Sequence, residues 1–289
     1  MNHDCSLRGE QNLPVDGVLH LFQVTDTHLM AESGGRLLNV DTDDSLAAVL
    51  DLAKRRSPGP DAMLITGDIA GDGAVGAYER MEAGLAPFGV PSFWLPGNHD
   101  GCAAAAVPEE RFTRTITTPH WLIVMLNSQV EDEVGGRLDA VELDALSAAV
   151  DGANAARRHL LVALHHPLHK LGVAWLDPQR VENADAFFTE IGRCQQSAYV
   201  ISGHVHQESD LVYEGVRYLT TPSNCIQFAP IKWISRWMTL HPVIDGWIYT
   251  PMAVSRPPWS GLPIGAFRLI WSRAATCKYR ICPKNFALH

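Results

Sequence analysis

The sequence lacks an uninterrupted apolar run of about 20 residues, the length that spans a bilayer, so no membrane association is expected. Its first 16 residues hold no basic start followed by an apolar run, and no secretory signal peptide is predicted. The six cysteines are scattered and form no C-x-x-C pair. This favours reduced thiols over a disulfide framework, and a cytoplasmic location over an exported one.

Basic residues are also scarce, because 23 Lys and Arg stand against 32 Asp and Glu, a net charge of −9. A chain with this balance lacks the basic face that displaces counterions from nucleic acid, so nucleic acid is not expected as a partner. With 46% hydrophobic and 19% charged residues, the composition is that of a folded globular chain. Its 289 residues suffice for one large domain or two small ones.

Short apolar runs alternate with helical patterns, which predicts an α/β or α+β fold. The predicted strands are continuous apolar runs, typical of strands buried on both faces. They are residues 18–24, 62–66, 92–95, 121–126, 160–164 and 198–201, followed by a hairpin of 211–213 and 216–219. Helices are predicted around 43–55 and 139–150, and Asp139 and Glu142 resemble a capping box at the start of the second.

The chain changes character near residue 230. Residues 1–230 carry 15 basic and 31 acidic residues, whereas residues 231–289 carry eight basic residues and one acidic residue. Five of the eight tryptophans lie in this tail. We therefore predict an N-terminal segment at 1–17, a catalytic domain at 18–230 and an atypical basic, Trp-rich tail at 231–289.

Polar motifs follow five of the predicted strands. They are Asp26-x-His28, Gly67-Asp68, Gly97-Asn98-His99-Asp100, His165-His166-Pro167 and Gly203-His204-x-His206. Each motif alone is common as a turn, a helix cap or a pair of surface histidines, but the ordered set is not. Strand carboxyl ends open on one sheet edge, where ligands bind.

Alternate residues of an extended segment point to one side, so Asp26 and His28 can reach one ion together. His204 and His206 can do the same if the segment is extended there. Carboxylate, amide and imidazole donors without thiolate suit manganese, iron or zinc. Seven ligands are too many for one tetrahedral ion. They suit two ions about 3.5–4 Å apart that share a carboxylate, a recurring device of phosphoryl chemistry.

The order of these motifs resembles that of the calcineurin-like metallophosphoesterase superfamily. Flanking stretches are similar to the bacterial class III 3′,5′-cyclic AMP phosphodiesterases over about residues 18–230. Those stretches are residues 26–29, 35–38, 175–178, 203–208 and 221–228. The resemblance implies a four-layer αββα sandwich of two mixed sheets flanked by helices.

Carried onto this sequence, the resemblance implies a role for each motif residue. Asp26, His28 and His206 would bind one ion, Asn98, His165 and His204 the other, and Asp68 would bridge them. His166 is the alternative to His165. His99 would face the phosphate and stabilise charge or protonate the leaving oxygen, with Asp100 orienting it. The residues expected to touch substrate are His28, Asp68, Asn98, His99 and His206.

The resemblance implies hydrolysis of 3′,5′-cyclic AMP to 5′-AMP by a hydroxide that bridges two divalent ions, Fe²⁺ or Mn²⁺, with Zn²⁺ as an alternative. Another phosphoester stays open as substrate, namely a 2′,3′-cyclic nucleotide, a glycerophosphodiester or a phosphomonoester. So does a non-catalytic nucleotide-binding protein. The tail departs from the related enzymes, although residues 237–242 resemble their sheet-completing strand. It is either a true extension, which could mediate a homodimer, or a sequence-altered end.

Overall fold

A computed structural model describes residues 6–55, 59–101 and 107–228 of the protein, together with the backbone of residues 267–270. The strands in these ranges are β1 (Arg8–Asn12), β2 (Leu19–Val24), β3 (Arg36–Leu37), β4 (Val40–Asp41), β5 (Ala62–Thr66), β6 (Ser92–Leu95), β7 (Thr113–Thr117), β8 (Trp121–Met125), β9 (His159–Ala163), β10 (Ala198–Ser202), β11 (Ser209–Tyr213), β12 (Val216–Thr220) and β13 (Phe267–Ile270). The α-helices there are α1 (Thr42–Lys54), α2 (Val75–Leu85), α3 (Ala140–Ala156) and α4 (Ala184–Ile191).

These strands form two main sheets and a small β3–β4 pair. The larger sheet has the order β1-β7-β8-β9-β10-β12-β11 and is mixed, since β7–β8 and β11–β12 are antiparallel while its other pairs are parallel. The smaller sheet has the order β13-β2-β5-β6, and all its pairs are parallel. The predicted sandwich of two sheets is therefore confirmed, with only the larger sheet mixed.

The side chains of β8 show how the layers stack. Ile123 and Met125 are buried in a core shared with the four-stranded sheet, whereas Leu122 and Val124 are buried in a second core. Successive strand residues face opposite sides, so one strand serves both cores. The first core also includes α1 and α2, and the second includes α3 and α4. The order of layers is helices, sheet, sheet, helices.

The two predicted helices begin where acidic caps stand. The Asp41 side chain accepts from the backbone N–H of Asp44, and that of Asp139 accepts from the N–H of Glu142. Glu142 does not complete a reciprocal capping box, because its carboxylate is buried against Arg114 and accepts from Asn127 N at 2.9 Å. These caps satisfy orphan N–H groups and set where each helix starts.

The domain boundaries expected at residues 18 and 230 remain predictions. The sheets extend past both, because β1 pairs with β7 and β13 pairs with β2. The expected strand at 237–242 lies outside the described residues. Among the residues described, no helix has the length and apolar character needed to cross a membrane.

Candidate dinuclear metal site

Five turns meet at one edge of the sandwich, each directly after a strand. They follow β2, β5 and β6 of the four-stranded sheet and β9 and β10 of the seven-stranded sheet. The seven side chains expected to bind metal all come from these turns, and every one except Asn98 is buried. The structure therefore brings together the whole predicted ligand set.

Asp26, His28 and His206 form one group of donors. Nε2 of His28 lies 3.2 Å from Nε2 of His206, and the latter lies 3.4 Å from Oδ1 of Asp26. The ligand atoms of the three residues lie within 4.8 Å of one another. Such a group can hold one cation.

Asn98, His165 and His204 form the second group. Oδ1 of Asn98 lies 3.0 Å from Nδ1 of His204 and 3.3 Å from Nε2 of His165. The two ring nitrogens are themselves 3.3 Å apart. One oxygen and two nitrogens thus converge on a single point beside the first group.

Asp68 stands between the groups. Its Oδ2 lies 3.7 Å from Nε2 of His28 and 3.4 Å from Nε2 of His165. Its Oδ1 accepts the backbone N–H of His99 at 2.9 Å, which fixes the plane of the carboxylate. One carboxylate oxygen therefore faces both groups, a position from which it could bridge two ions.

The backbone at these turns differs from the sequence-based expectation. The sequence predicts Asp26 and His28 on an extended segment, and it predicts a shared ion for His204 and His206 only if their segment is extended. Instead the four residues have positive φ of 54°, 45°, 67° and 49° in that order, and Asp68 has φ of 50°. This conformation is sparse for non-glycine residues and concentrates at functional sites. Asp26 and His28 still reach one donor group, but through alternate left-handed residues rather than a strand. His204 and His206 fall into different groups, because His206 joins Asp26 and His28 while His204 joins Asn98 and His165.

At two positions next to proposed ligands, only glycine fits, because a side chain would overlap neighbouring atoms. A Cβ on Gly97 would overlap Oδ1 of Asp68, and one on Gly203 would overlap Thr25 Oγ1 and Asp26 Oδ2. The Gly-Asn and Gly-His pairs of the motifs thus follow from the close approach of turns from different strands.

Burial and charge shift the pKa values of the site. Burial acts to raise the pKa of Asp68, but the His165 and His28 imidazoles outweigh it and hold that pKa well below its usual value. Burial likewise acts to lower the pKa of His165, but Asp68 outweighs it and raises the pKa to about 9. Burial lowers the pKa of His28 to about 4 and that of His204 to about 3.

This donor set fits two divalent cations. Asp68 keeps its charge beside a proton held on His165, and a cation can replace that proton. His28 and His204 are neutral at pH 7 and have lone pairs to offer. Two carboxylates, one carboxamide and four imidazoles suit hard or borderline ions.

His99 and Asp100 differ in their surroundings. The His99 ring is exposed, packs edge-on against His28 at 4.9 Å, and lies 3.3 Å through Nδ1 from the carbonyl of Gly71. Asp100 was expected to orient this ring, but its buried carboxylate accepts from three backbone N–H groups and a tyrosine hydroxyl. These donors belong to Ile69, Ala70, Gly97 and Tyr78. Asp100 therefore ties the turns of Asp68 and Asn98 together and does not contact the His99 ring.

His166, the alternative to His165, has other partners. Its Nδ1 lies 2.8 Å from Ser128 Oγ and its Nε2 lies 3.2 Å from the carbonyl of Val134. Both ring nitrogens are thus engaged away from Asp68, although His166 also lies within ligand distance of His165 and His204. The geometry favours His165 as the ligand.

Two residues of the 221–228 stretch hold the turn that carries Asp26, and neither was assigned a role from the sequence. The Asn224 side chain accepts from Thr25 N at 3.0 Å, and the Ser223 hydroxyl donates to the carbonyl of Asp26 at 2.7 Å. They hold the left-handed turn at Asp26 from almost 200 residues away in sequence. Resemblance had marked this stretch, but no local pattern in it revealed the contacts.

Comparison with known proteins agrees with this geometry. The calcineurin-like phosphoesterase family matches residues 19–208. A 3′,5′-cyclic adenosine monophosphate phosphodiesterase of Vibrio vulnificus is 37% identical over 73% of this chain and 78% of its own length. The enzyme of that name from Escherichia coli K12 is 36% identical over 81% and 86%. A dimetal phosphatase from Danio rerio shares the fold, with a TM-score of 0.56 at 17% identity over 75% of this chain and 90% of that one. The chain therefore belongs to the calcineurin-like phosphoesterase family.

Proposed function

We propose that the protein is a dinuclear metal-dependent phosphodiesterase that hydrolyses 3′,5′-cyclic AMP to 5′-AMP. The observation that carries the hydrolytic chemistry is Asp68 Oδ2, placed 3.7 Å from His28 Nε2 and 3.4 Å from His165 Nε2. The support for cyclic AMP is the name of relatives at 36–37% identity.

Asp26, His28 and His206 would hold the first ion, Asn98, His165 and His204 the second, and Asp68 both. When bound, two such ions supply an activated water and neutralise the charge of a phosphate. Fe²⁺ and Mn²⁺ are the ions we propose, with Zn²⁺ as the alternative, because imidazole and oxygen donors accept all three.

His99 would protonate the leaving group. Its exposed ring lies beside His28, where a phosphate held over the site would place its ester oxygens. A water oxygen adds to phosphorus and releases one proton to solvent as the bond from phosphorus to the 3′-oxygen breaks. His99 gives its proton to the departing 3′-oxygen and recovers one from solvent, so cyclic AMP and water yield 5′-AMP. The amide nitrogen of Asn98 would donate to a phosphate oxygen, because its Oδ1 is turned toward His165 and His204. His28, Asp68 and His206 are the other residues that would touch the phosphate, since ligand atoms of His28 and Asp68 lie within 4.8 Å of one of His99.

A cytoplasmic location is part of the proposal. Cys194 and Cys225 are free thiols within the described part of the chain, as is usual in a reducing compartment.

The test is elemental analysis of the purified full chain, paired with hydrolysis of cyclic AMP before and after chelation and after addition of Mn²⁺. We expect two ions per chain, loss of hydrolysis on chelation, recovery with Mn²⁺, and 5′-AMP as product. Full activity in metal-free protein would refute the metal-dependent mechanism. A higher kcat/KM for 2′,3′-cyclic nucleotides, a glycerophosphodiester or a phosphomonoester would refute the substrate. Nucleotide binding without turnover in metal-loaded protein would indicate a binding protein.

A further inference from the structure

The histidines contributed by the seven-stranded sheet are oriented in two ways. Nδ1 of His165 lies 2.8 Å from the carbonyl of Thr66, and Nδ1 of His206 lies 2.8 Å from the carbonyl of Ile226. His204 instead contacts a side chain through its other ring nitrogen, since Nε2 lies 3.1 Å from Oε1 of Gln179. Only this third anchor can be removed by a substitution.

The orientation of the Gln179 amide follows from its second contact. Its Nε2 donates to the backbone carbonyl of Trp175 at 3.1 Å, so the atom turned toward His204 is the oxygen. An amide oxygen only accepts, and Nε2 of His204 must therefore carry the ring proton. The lone pair then lies on Nδ1, which points at Asn98 Oδ1 and His165 Nε2 at 3.0 and 3.3 Å.

The segment that carries Gln179 is itself held in place. Val173 and Leu176 are buried in a small cluster with Val205, the residue between the two histidines of the last motif. The Asp177 carboxylate accepts from the N–H groups of Leu171 and Gly172 at 2.7 and 3.1 Å. The amide is thus presented to His204 by a fixed turn.

We propose that Gln179 is a positioning residue that selects the tautomer of His204 and thereby sets the affinity of the second ion. The inference rests on the dinuclear site proposed above and assigns to that site a residue outside the seven ligands. Partners of this kind typically contribute about 10–100-fold to metal affinity.

Two substitutions separate the acceptor from the bulk of the side chain. Gln179→Leu keeps the size and removes the acceptor. Gln179→Glu keeps an oxygen acceptor for His204 Nε2, but it loses the amide donor to the Trp175 carbonyl and adds a negative charge. Gln195→Leu is the matched control, because Gln195 is exposed and precedes β10, at the end of that strand opposite the site.

The first measurement is Mn²⁺ binding by the full chain, using competition with a chelator and elemental analysis. We expect Gln179→Leu to weaken the second ion by about 10–100-fold and leave the first within about twofold. Gln195→Leu should bind both ions as the wild type does, and Gln179→Glu should bind the second ion at least as tightly, because its negative charge favours a cation beside His204. Unchanged binding in Gln179→Leu, or equal weakening of both ions, would overturn the proposal.

The second measurement needs no metal. Two-bond ¹H–¹⁵N spectra of the metal-free protein report which nitrogen of His204 carries the proton. Nε2–H is expected in the wild type and in Gln179→Glu, and a tautomer mixture in Gln179→Leu. The same tautomer in all variants would refute the role of Gln179. If the wild type bound no metal but the spectra shifted as expected, the proposed function would fail while the selection of the tautomer stood.

Discussion

The two sheets contribute different chemistry to one site. The oxygen donors all follow strands of the four-stranded sheet, while the seven-stranded sheet contributes only imidazoles. The first set is Asp26, Asp68 and Asn98, and the second is His165, His204 and His206. The smaller sheet thus carries the whole negative charge of the ligand set. Neither sheet alone offers a complete set of the proposed ligands, so the proposed metal site requires both.

The largest effect is expected from the carboxylate that faces both groups. Asp68→Asn keeps the size of the side chain but removes the charge that draws His28 and His165 together. Elemental analysis should show loss of bound metal, and kcat/KM for cyclic AMP should fall by more than the roughly 100-fold typical of a merely supporting residue. Asp144→Asn, on the exposed side of α3, is the control. Wild-type turnover in Asp68→Asn would contradict the conclusion that the site needs the negative charge carried by the smaller sheet.

A second substitution tests the contact between the turn after β10 and the turn after β2, which belong to different sheets. Gly203→Ala, after β10, would insert a methyl group against Thr25 and Asp26, which follow β2. We expect the turns to separate and metal binding to be lost, measured as bound ions per chain. Gly59→Ala serves as control, because Gly59 is exposed and its Cβ position is open. Normal metal content in Gly203→Ala would show that the two turns are free to shift apart.

A substitution in the core beneath the larger sheet should lower the free energy of unfolding without removing the bound metal. Leu146 is fully buried in the core between that sheet and α3, which is the core not shared with the four-stranded sheet. Leu146→Ala should lower the free energy of unfolding in urea by about 2–5 kcal/mol. Two ions per chain should remain bound under native conditions. Loss of metal without loss of stability would contradict the assigned layers.

The smallest effect concerns thiol reactivity beside the site. Burial raises the pKa of the Cys225 thiol to about 12, so almost none of it is thiolate at pH 8. Iodoacetamide should modify Cys225 far more slowly in the native chain than in urea, as followed by peptide mass mapping. Equal rates in both conditions would show that the 221–228 stretch is open.

Continuous apolar runs predicted β2, β5, β6, β8, β9 and β10 within about one residue at most ends, because strands buried on both faces leave that pattern. Elements with a weaker signal were missed. α2 contains Gly76 and Gly84 and has no side-chain cap, and the five residues of β1 are all exposed.

The clustering of the motif residues was accessible to sequence reasoning because each motif directly follows a strand, whereas the role of each ligand came from the family resemblance and stays a proposal. The local backbone was not, since left-handed conformations at Asp26 and His28 are stabilised by distant contacts such as Ser223 with Asp26. Gln179 gave no signal either, because its role depends on a turn that meets His204 only in the folded chain.

Because the proposed ligands come from two separate β-sheets, two bound metal ions would act as a cross-link between the sheets. Their binding free energy would then become part of the folding free energy of both halves. Chelation should therefore lower the melting temperature and accelerate amide exchange in β5 and β10 together, although these strands belong to different sheets.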